Sequence, residues 1–176
     1  MIITSDGRVG SELNRRIGAA FAVFRQLQKL WKHSSVSKDR KLTLFNAIDV
    51  PKLLYSLCTV WLSAAERRRL DGAQARTLRH ICGIKHSMIS RVSNEEVRER
   101  ACQRLLTDIL LDQQIALLER AIRRPAGDPL RDAIFCPGSL RFVTDKYVRK
   151  IGAPRHEWAR RLCPILRQRC PELFQR

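Results

Sequence analysis

The amino-acid sequence predicts an all-α fold, a multi-helix bundle of about five helices between residues 11 and 123. Apolar residues recur at every third or fourth position over long segments, which is the period of one buried helix face. Helix-start signals separate these segments, among them two Ser-x-x-Glu capping boxes at residues 63–66 and 93–96. Of the 176 residues, 44% are hydrophobic, which is enough to bury the core of one or two compact units.

The first predicted helix has an apolar face and a basic face. Asp6-Gly7 forms a turn signal before it, and Ser11 is the expected N-cap. Its apolar face carries Leu13, Ile17, Ala20, Phe21, Phe24, Leu27 and Trp31. Its opposite face carries Arg15, Arg25, Lys29 and Lys32. We therefore expect an amphipathic helix that buries Trp31 in the core and exposes its cations.

The next two predicted helices are separated by a proline. Ser37 is the expected cap of a helix that runs until Pro51, which lacks an N–H and kinks or breaks it. Residues 53–62 are apolar nearly all round, so they predict the most buried helix of the chain. Trp61, at the end of this stretch, is therefore expected in the core.

The two capping boxes open the remaining helices of the body. Ser63 begins a helix that Gly83 ends, and one side of this helix carries Arg68, Arg76 and Arg79. Ser93 begins a helix whose apolar spacing continues to about Arg123.

The chain after this body divides into a linker and a basic tail. Residues 125–142 predict a linker, because they contain three prolines and two glycines without a clear period. Residues 143–176 predict a basic tail with a helix from Pro154 to Pro171. In that helix Trp158 is flanked by Arg155, Arg160 and Arg161 and is the best candidate to stack on an unpaired base.

The charge predicts a polyanionic partner. Lys and Arg number 34 against 17 Asp and Glu, so the formal net charge is +17. Such a charge attracts nucleic acid or an anionic surface, and nucleic acid is the commoner partner. The most apolar stretch, residues 50–65, is too short to span a bilayer, and no secretory signal is present. We expect an intracellular protein without a membrane partner, in either the nucleus or the cytoplasm.

Neither a metal, a cofactor nor a catalytic site is expected. The six cysteines form no Cys-x-x-Cys pair, and the simplest interpretation is that they are small buried hydrophobes. His156, Cys163 and Cys170 are seven residues apart, too far to share a tetrahedral zinc. Asp108 and Asp112 lie one turn apart without a third ligand nearby and are expected on a solvated face. No phosphate-binding loop or nucleophile elbow is present.

Several strings in a fixed order resemble one family. They are Thr4-Ser5-Asp6-Gly7, Asn14-Arg15-Arg16-Ile17, Asn46-Ala47, Leu53-Leu54-Tyr55-Ser56, Thr59-Val60-Trp61, Arg69-Leu70-Asp71, Leu78-Arg79-His80-Ile81-Cys82-Gly83-Ile84 and Ile89-Ser90-Arg91-Val92-Ser93-Asn94-Glu95-Glu96-Val97. Together they are similar to the segment after the palm of LINE-type, non-LTR retrotransposon reverse transcriptases. The resemblance covers about residues 4–124 and implies that these form a thumb-like helical region.

The resemblance implies nucleic-acid binding without catalysis. A polymerase thumb holds template and primer by their backbones, which requires Lys and Arg aimed at phosphates and no base readout. The polymerase palm uses an adjacent Asp pair to hold metal ions, and this sequence has none. The palm would precede Met1, so the resemblance implies either a truncated copy or a fragmentary gene model. Glu119 and Arg120 stand where the family commonly has Gly and His, which favours an inactive transposon remnant.

A helical protein-interaction module is the other interpretation. In that case the apolar surface that docks on a palm domain mediates self-association or binding to another protein. An exposed apolar patch near Phe21, Phe24 and Leu53 would favour this interpretation.

Overall fold

The computed structural model describes residues 9–33, 35–143 and 158–174 and confirms the all-α fold. These ranges contain no β-strand, only one isolated bridge between Phe135 and Phe142. The α-helices are α1 (Gly10–Lys32), α2 (Lys38–Leu44), α3 (Val50–Leu54), α4 (Ala64–Ile81), α5 (Ser87–Ser90), α6 (Asn94–Arg100), α7 (Leu106–Arg123), α8 (Pro129–Asp132) and α9 (Trp158–Arg169). None of the helices described is long and apolar enough to cross a membrane.

The chain forms two compact units. Unit 1 contains the described residues up to Leu57 and those from Leu62 to Leu110, and unit 2 contains Cys58–Trp61 and the described residues from Leu111 onward. The stretch 125–142, in which the sequence indicates a linker, contains α8 and buries Phe135 in the core of unit 2. The predicted domain boundaries at residues 124 and 142 stay a prediction.

One apolar cluster joins several helices of unit 1. The cluster buries Phe24 of α1 and Leu78 of α4. The other buried members are Leu42, Phe45, Ile81, Val97 and Ala101. Trp31 packs against this cluster, with its ring edge-on to Phe24 at 5.5 Å between centroids. The predicted N-cap Ser11 is wrong, because α1 begins at Gly10 after Val9 and no side chain caps it.

The helix does not break at Pro51, and a π-helix precedes the proline. Ser37 caps α2 as predicted, and the chain then stays helical through a π-helix at Phe45–Asp49 into α3. Pro51 supplies no N–H, and just before it the Val50 N–H bonds the carbonyl of Phe45 five residues back. The wider turn thus carries the helix past the proline.

The predicted helix over residues 53–62 is wrong in its extent. Helix α3 ends at Leu54, and Ser56 takes a left-handed φ of 61° in the turn that follows. Leu53, Leu57 and Leu62 are nevertheless buried. Hydrophobicity therefore predicted the burial of these leucines but not that of Tyr55, which is 64% exposed. It also did not predict that the helix ends early, in a stretch that contains the β-branched Thr59 and Val60.

The predicted continuous helix from Ser93 to Arg123 is also wrong. The capping box at Ser63 and Glu66 forms as predicted, and at the second predicted box Ser93 accepts a bond from Glu96 N. However, α6 ends at Arg100 and α7 begins at Leu106, with Cys102 at a left-handed φ of 50°. Side chains of α4 cap the new helix start, because Gln74 Oε1 accepts from Leu106 N at 3.3 Å and Asp71 Oδ1 accepts from Thr107 N at 3.1 Å.

Unit 2 packs α7 and α9 around a second core, to which Phe135 also belongs. Its fully buried residues include Leu118, Phe135, Leu162 and Leu166. As predicted, the C-terminal helix ends before Pro171, but its expected start at Pro154 lies outside the described residues. The expectation that the cysteines are buried holds for Cys136 and fails for Cys102, which is exposed because it lies in the turn between α6 and α7.

Asp49, at the end of the π-helix, is a buried carboxylate without a hydrogen-bond donor among the described residues. Its residue exposure is 1%, and both carboxylate oxygens are buried. Burial raises its pKa to about 6, although the nearby Lys52 acts to lower it. Ionised Asp49 therefore opposes folding.

The Asp49→Asn variant should lose part of the pH dependence of stability. The folded-state pKa of about 6 lies above the ordinary value of 3.8, so the folded chain holds this proton more tightly and loses stability as pH rises between these values. Above pH 6 the full penalty is present. The stability of Asp49→Asn relative to wild type should grow by about 2 kcal/mol between pH 4.5 and pH 7, measured by urea unfolding. An equal difference at both pH values would contradict the burial of an ionising group.

Candidate nucleic-acid interface

Helices α1 and α4 lie side by side and run in the same direction. Near their starts, the Arg69 guanidinium donates a hydrogen bond to Asn14 Oδ1. Seven residues further along both helices, the guanidinium carbon of Arg76 lies 5.4 Å from the centroid of the Phe21 ring. Each helix thus contributes residues seven positions apart to the two contacts, so the helices stay in step along their length. Cations of both helices therefore lie along one shared face.

This α1–α4 face carries four exposed cations. Arg25 lies one turn beyond Phe21 on α1, and Lys29 lies one turn beyond Arg25. Arg69 and Arg76 of α4 complete the set, and all four residues are exposed. Among the residues that the structure describes, none of the ion pairs formed includes these four cations. The face therefore presents uncompensated positive charge to solvent.

The acidic residues of α1 and α4 are engaged elsewhere. Glu12 is only 3% exposed and binds Arg15 and Arg16, each at 2.7 Å. Glu66 completes the capping box by accepting from Ser63 N at 2.8 Å.

Asp71, the other carboxylate of α4, accepts from both the backbone N–H and the hydroxyl of Thr107. Burial raises the pKa of Asp71, and the two Thr107 hydrogen bonds act in the opposite direction. Each carboxylate of the two helices thus has a structural partner, which leaves the four cations of the α1–α4 face without an acidic neighbour of their own helices.

The other predicted cations of α1 and α4 have different surroundings. Arg15 is exposed but is held by Glu12. Arg68 is exposed, and its Nε lies 3.4 Å from the carbonyl of Ala64 in its own helix. The side chain of Lys32 lies outside the described residues. Arg69 was missed as a site residue, although its spacing of seven residues from Arg76 is readable from the sequence.

Arg79 is buried and organises a loop. Its residue is 7% exposed, and its guanidinium donates to the carbonyl of Val92 at 2.7 Å and to Asn94 Oδ1 at 3.0 Å. Longer contacts join it to the carbonyl of Lys85 at 3.5 Å and to Ser90 Oγ at 3.4 Å. Because these internal acceptors occupy the guanidinium, Arg79 is not part of the solvent-facing interface, although the sequence predicted it there.

In unit 2, arginines of α9 lie over aromatic rings. The guanidinium carbon of Arg160 is 4.7 Å from the centroid of Phe142, and that of Arg161 is 5.4 Å from the centroid of Trp61. Trp158 is half-buried against the unit 2 core, while Arg155 lies outside the described residues. Such pairs hold a cation at an aromatic surface, an arrangement that also suits contact with a nucleobase and its phosphate. Phe142 and Trp61 are distant in sequence from Arg160 and Arg161, so no local sequence pattern predicted these two contacts.

The described residues contain no group of three or more His, Cys, Asp or Glu side chains arranged to hold a metal ion. Asp112, considered with Asp108 as a metal pair, lies 3.5 Å from Arg169 and is engaged in that ion pair. His156, considered with two cysteines for zinc, lies outside the described residues.

Comparison with known proteins adds no relative. No family model matches the chain, and neither a curated protein nor a solved structure is detectably similar to it.

Removing the buried guanidinium should destabilise unit 1. The Arg79→Met variant keeps much of the side-chain volume but leaves the Val92 carbonyl and Asn94 without their donor, so we expect a loss of about 2–4 kcal/mol in unfolding free energy. Urea unfolding followed by circular dichroism measures this loss. The matched control is Arg68→Met on the exposed side of α4, which should change stability by less than about 0.5 kcal/mol. Equal midpoints for the two variants would show that the Arg79 contacts do not stabilise the loop.

Proposed function

We propose that this chain binds RNA or DNA through the sugar-phosphate backbone, without reading the base sequence and without catalysing a reaction. The α1–α4 face is the observation that carries the proposal. It holds Arg25, Lys29, Arg69 and Arg76 exposed on two packed helices, and no described carboxylate pairs with them. Cations fixed on a rigid surface suit contact with successive phosphates, and the released counterions supply the affinity.

The α9 surface is a second part of the proposal. Arg160, Arg161 and Trp158 belong to unit 2 and combine positive charge with aromatic rings. Base stacking on aromatic or guanidinium planes tolerates any sequence, because every base has a flat face. This surface therefore fits the same sequence-indifferent mode of binding.

We further propose that the chain is a thumb-like, non-catalytic part of a LINE-type reverse transcriptase or a copy derived from one. Two observations support this origin. One is the ordered set of strings between residues 4 and 124, and the other is the helical fold of this part of the chain. A thumb grips nucleic acid by its backbone, so this origin and the basic α1–α4 face favour the same activity. A palm domain is the protein partner that this proposal implies.

The alternative interaction module has less support at the surface considered for it. Phe24 and Leu53 are buried at 3% and 2% exposure, and Phe21 lies beneath the guanidinium of Arg76. These three residues therefore do not form an exposed apolar patch, and the surface at Phe21 is basic.

Neutralising two cations of the α1–α4 face should weaken binding and reduce its salt dependence. In the Arg25→Ala, Lys29→Ala double variant, the slope of log K against log salt concentration should fall by about 2, because each phosphate contact contributes about 0.9. Fluorescence anisotropy of a labelled DNA duplex, titrated at several salt concentrations, measures the slope. Both positions are exposed on a helix, so alanine should preserve the fold.

The matched control is the Arg100→Ala, Arg123→Ala double variant. It removes the same number of positive charges, but from residues that already pair with Glu96 and Glu119. We expect the control to change the slope by less than half as much. If wild type shows no affinity for duplex or single strands at low salt, the proposed function is wrong. Equal effects of the two double variants would instead mean that only net charge matters, without a defined face.

A further inference from the structure

Two adjacent apolar side chains project from unit 1 into solvent. Met88 is 86% exposed and Ile89 is 69% exposed, both on the single turn of α5. The other large apolar residues that are mostly exposed in the described chain, Leu30 and Tyr55, stand apart from each other in sequence. Burying a large apolar side chain is favourable, so two adjacent exposed ones indicate a surface that contacts another molecule.

The loop that carries this pair is held in place by its neighbours. Ile84 and Val92, on either side of α5, pack against the unit 1 core. The buried Arg79 donates hydrogen bonds to two carbonyls of the loop, those of Lys85 and Val92. Arg91 ends the turn in a left-handed conformation at φ 54°. The same loop thus packs two partly buried apolar residues against the core and holds the other two outward, which is a defined geometry.

The loop that carries the pair is itself basic, and the first carboxylates after it are Glu95 and Glu96 at the start of α6. Lys85, His86 and Arg91 are all exposed, and residues 82–93 contain neither Asp nor Glu. The loop follows the C-terminal end of α4, and its Ile84 and Val92 pack on the same cluster as Trp31 at the end of α1. The loop therefore lies beyond the C-terminal end of the α1–α4 face, on the side toward which Arg25 and Lys29 succeed one another along α1.

We propose that Met88 and Ile89 form an apolar wedge that inserts between base steps of a nucleic-acid duplex lying along the α1–α4 face. Lys85 and Arg91 contact the phosphates on either side of the opened step. This inference rests on the proposed nucleic-acid binding and adds a duplex, deformed at one step, as its ligand. Proteins that unstack bases combine these parts, since apolar side chains enter the step and flanking cations hold the backbone.

Charge and size both favour this occupant over a protein partner. A stable protein interface uses about 20–30 residues on each side, whereas the exposed apolar area here is two side chains wide. The cations around it complement phosphates and repel a basic partner such as a second copy of this chain. A single base step has the dimensions and the flanking charge that such a small wedge requires.

The test uses the full chain and duplexes that report unstacking. Each probe is a short DNA duplex or RNA–DNA duplex with 2-aminopurine in a DNA strand, whose fluorescence rises when the base is unstacked. Wild type should raise the fluorescence on binding. The Met88→Ala, Ile89→Ala variant should bind about tenfold more weakly and leave the fluorescence unchanged, because the truncated side chains cannot fill the step. Both residues are exposed, so the fold should persist.

Two matched variants separate a wedge from a general loss of apolar surface. Met88→Leu, Ile89→Leu keeps two large apolar side chains and should retain both affinity and fluorescence change. Leu30→Ala truncates another exposed apolar residue, 65% exposed on α1, and should behave as wild type.

The possible results distinguish the wedge from the binding activity. If wild type binds with a salt-dependent affinity but the alanine variant binds and unstacks equally well, the wedge is wrong and backbone binding stands. If wild type does not bind either duplex, both proposals fail. If the alanine substitutions instead abolish binding to phosphatidylserine-containing vesicles and leave duplex binding intact, the pair contacts lipid and the wedge is overturned.

Discussion

Burial of Phe24 and Leu78 in one apolar cluster holds α1 beside α4, and the surface chemistry of unit 1 depends on this packing. The two helices contribute cations at spacings that match one helix face, but only their shared offset brings Arg25 and Arg76 to the same side. A core of this kind is favourable because apolar area leaves water, and its shape then determines which charged residues remain outside. The basic face is thus a consequence of the core.

Helix α4 also organises its surroundings through buried polar side chains. Gln74 bonds both the carbonyl of Arg104 and the N–H of Leu106, and it is 1% exposed. Arg79 does the same for the loop that carries α5. Hydrogen bonds of buried groups are costly to leave unmade, so these side chains specify one arrangement of two connecting segments. Asp49 contrasts with these side chains, because it is buried with no described hydrogen-bond donor. Its burial raises its pKa instead.

The excess positive charge is divided between structural and surface roles. Some arginines bind carboxylates or carbonyls within the chain, as Arg16 does with Glu12. Others lie over aromatic rings of unit 2 or on the open α1–α4 face. A net charge of +17 therefore overstates what any one ligand would meet, and the placement of individual cations is more informative than their total. The apolar pair Met88 and Ile89 gives the basic surface a feature that charge alone does not supply.

The sequence by itself determined the helical class, the caps at Ser37, Ser63 and Ser93, and the basic outer face of α1. These are local properties, since a cap bonds a backbone amide three residues away and a helix face follows from its period. Only the tertiary structure decided that the helix after Ser93 breaks before Leu106, because the capping Gln74 lies 32 residues away. It likewise decided that Arg79 is internal while Arg69 is exposed, since exposure depends on which neighbours pack on each side of α4. Long-range contacts of this kind leave no period or motif in the sequence, and for that reason the candidate interface was predicted only in part.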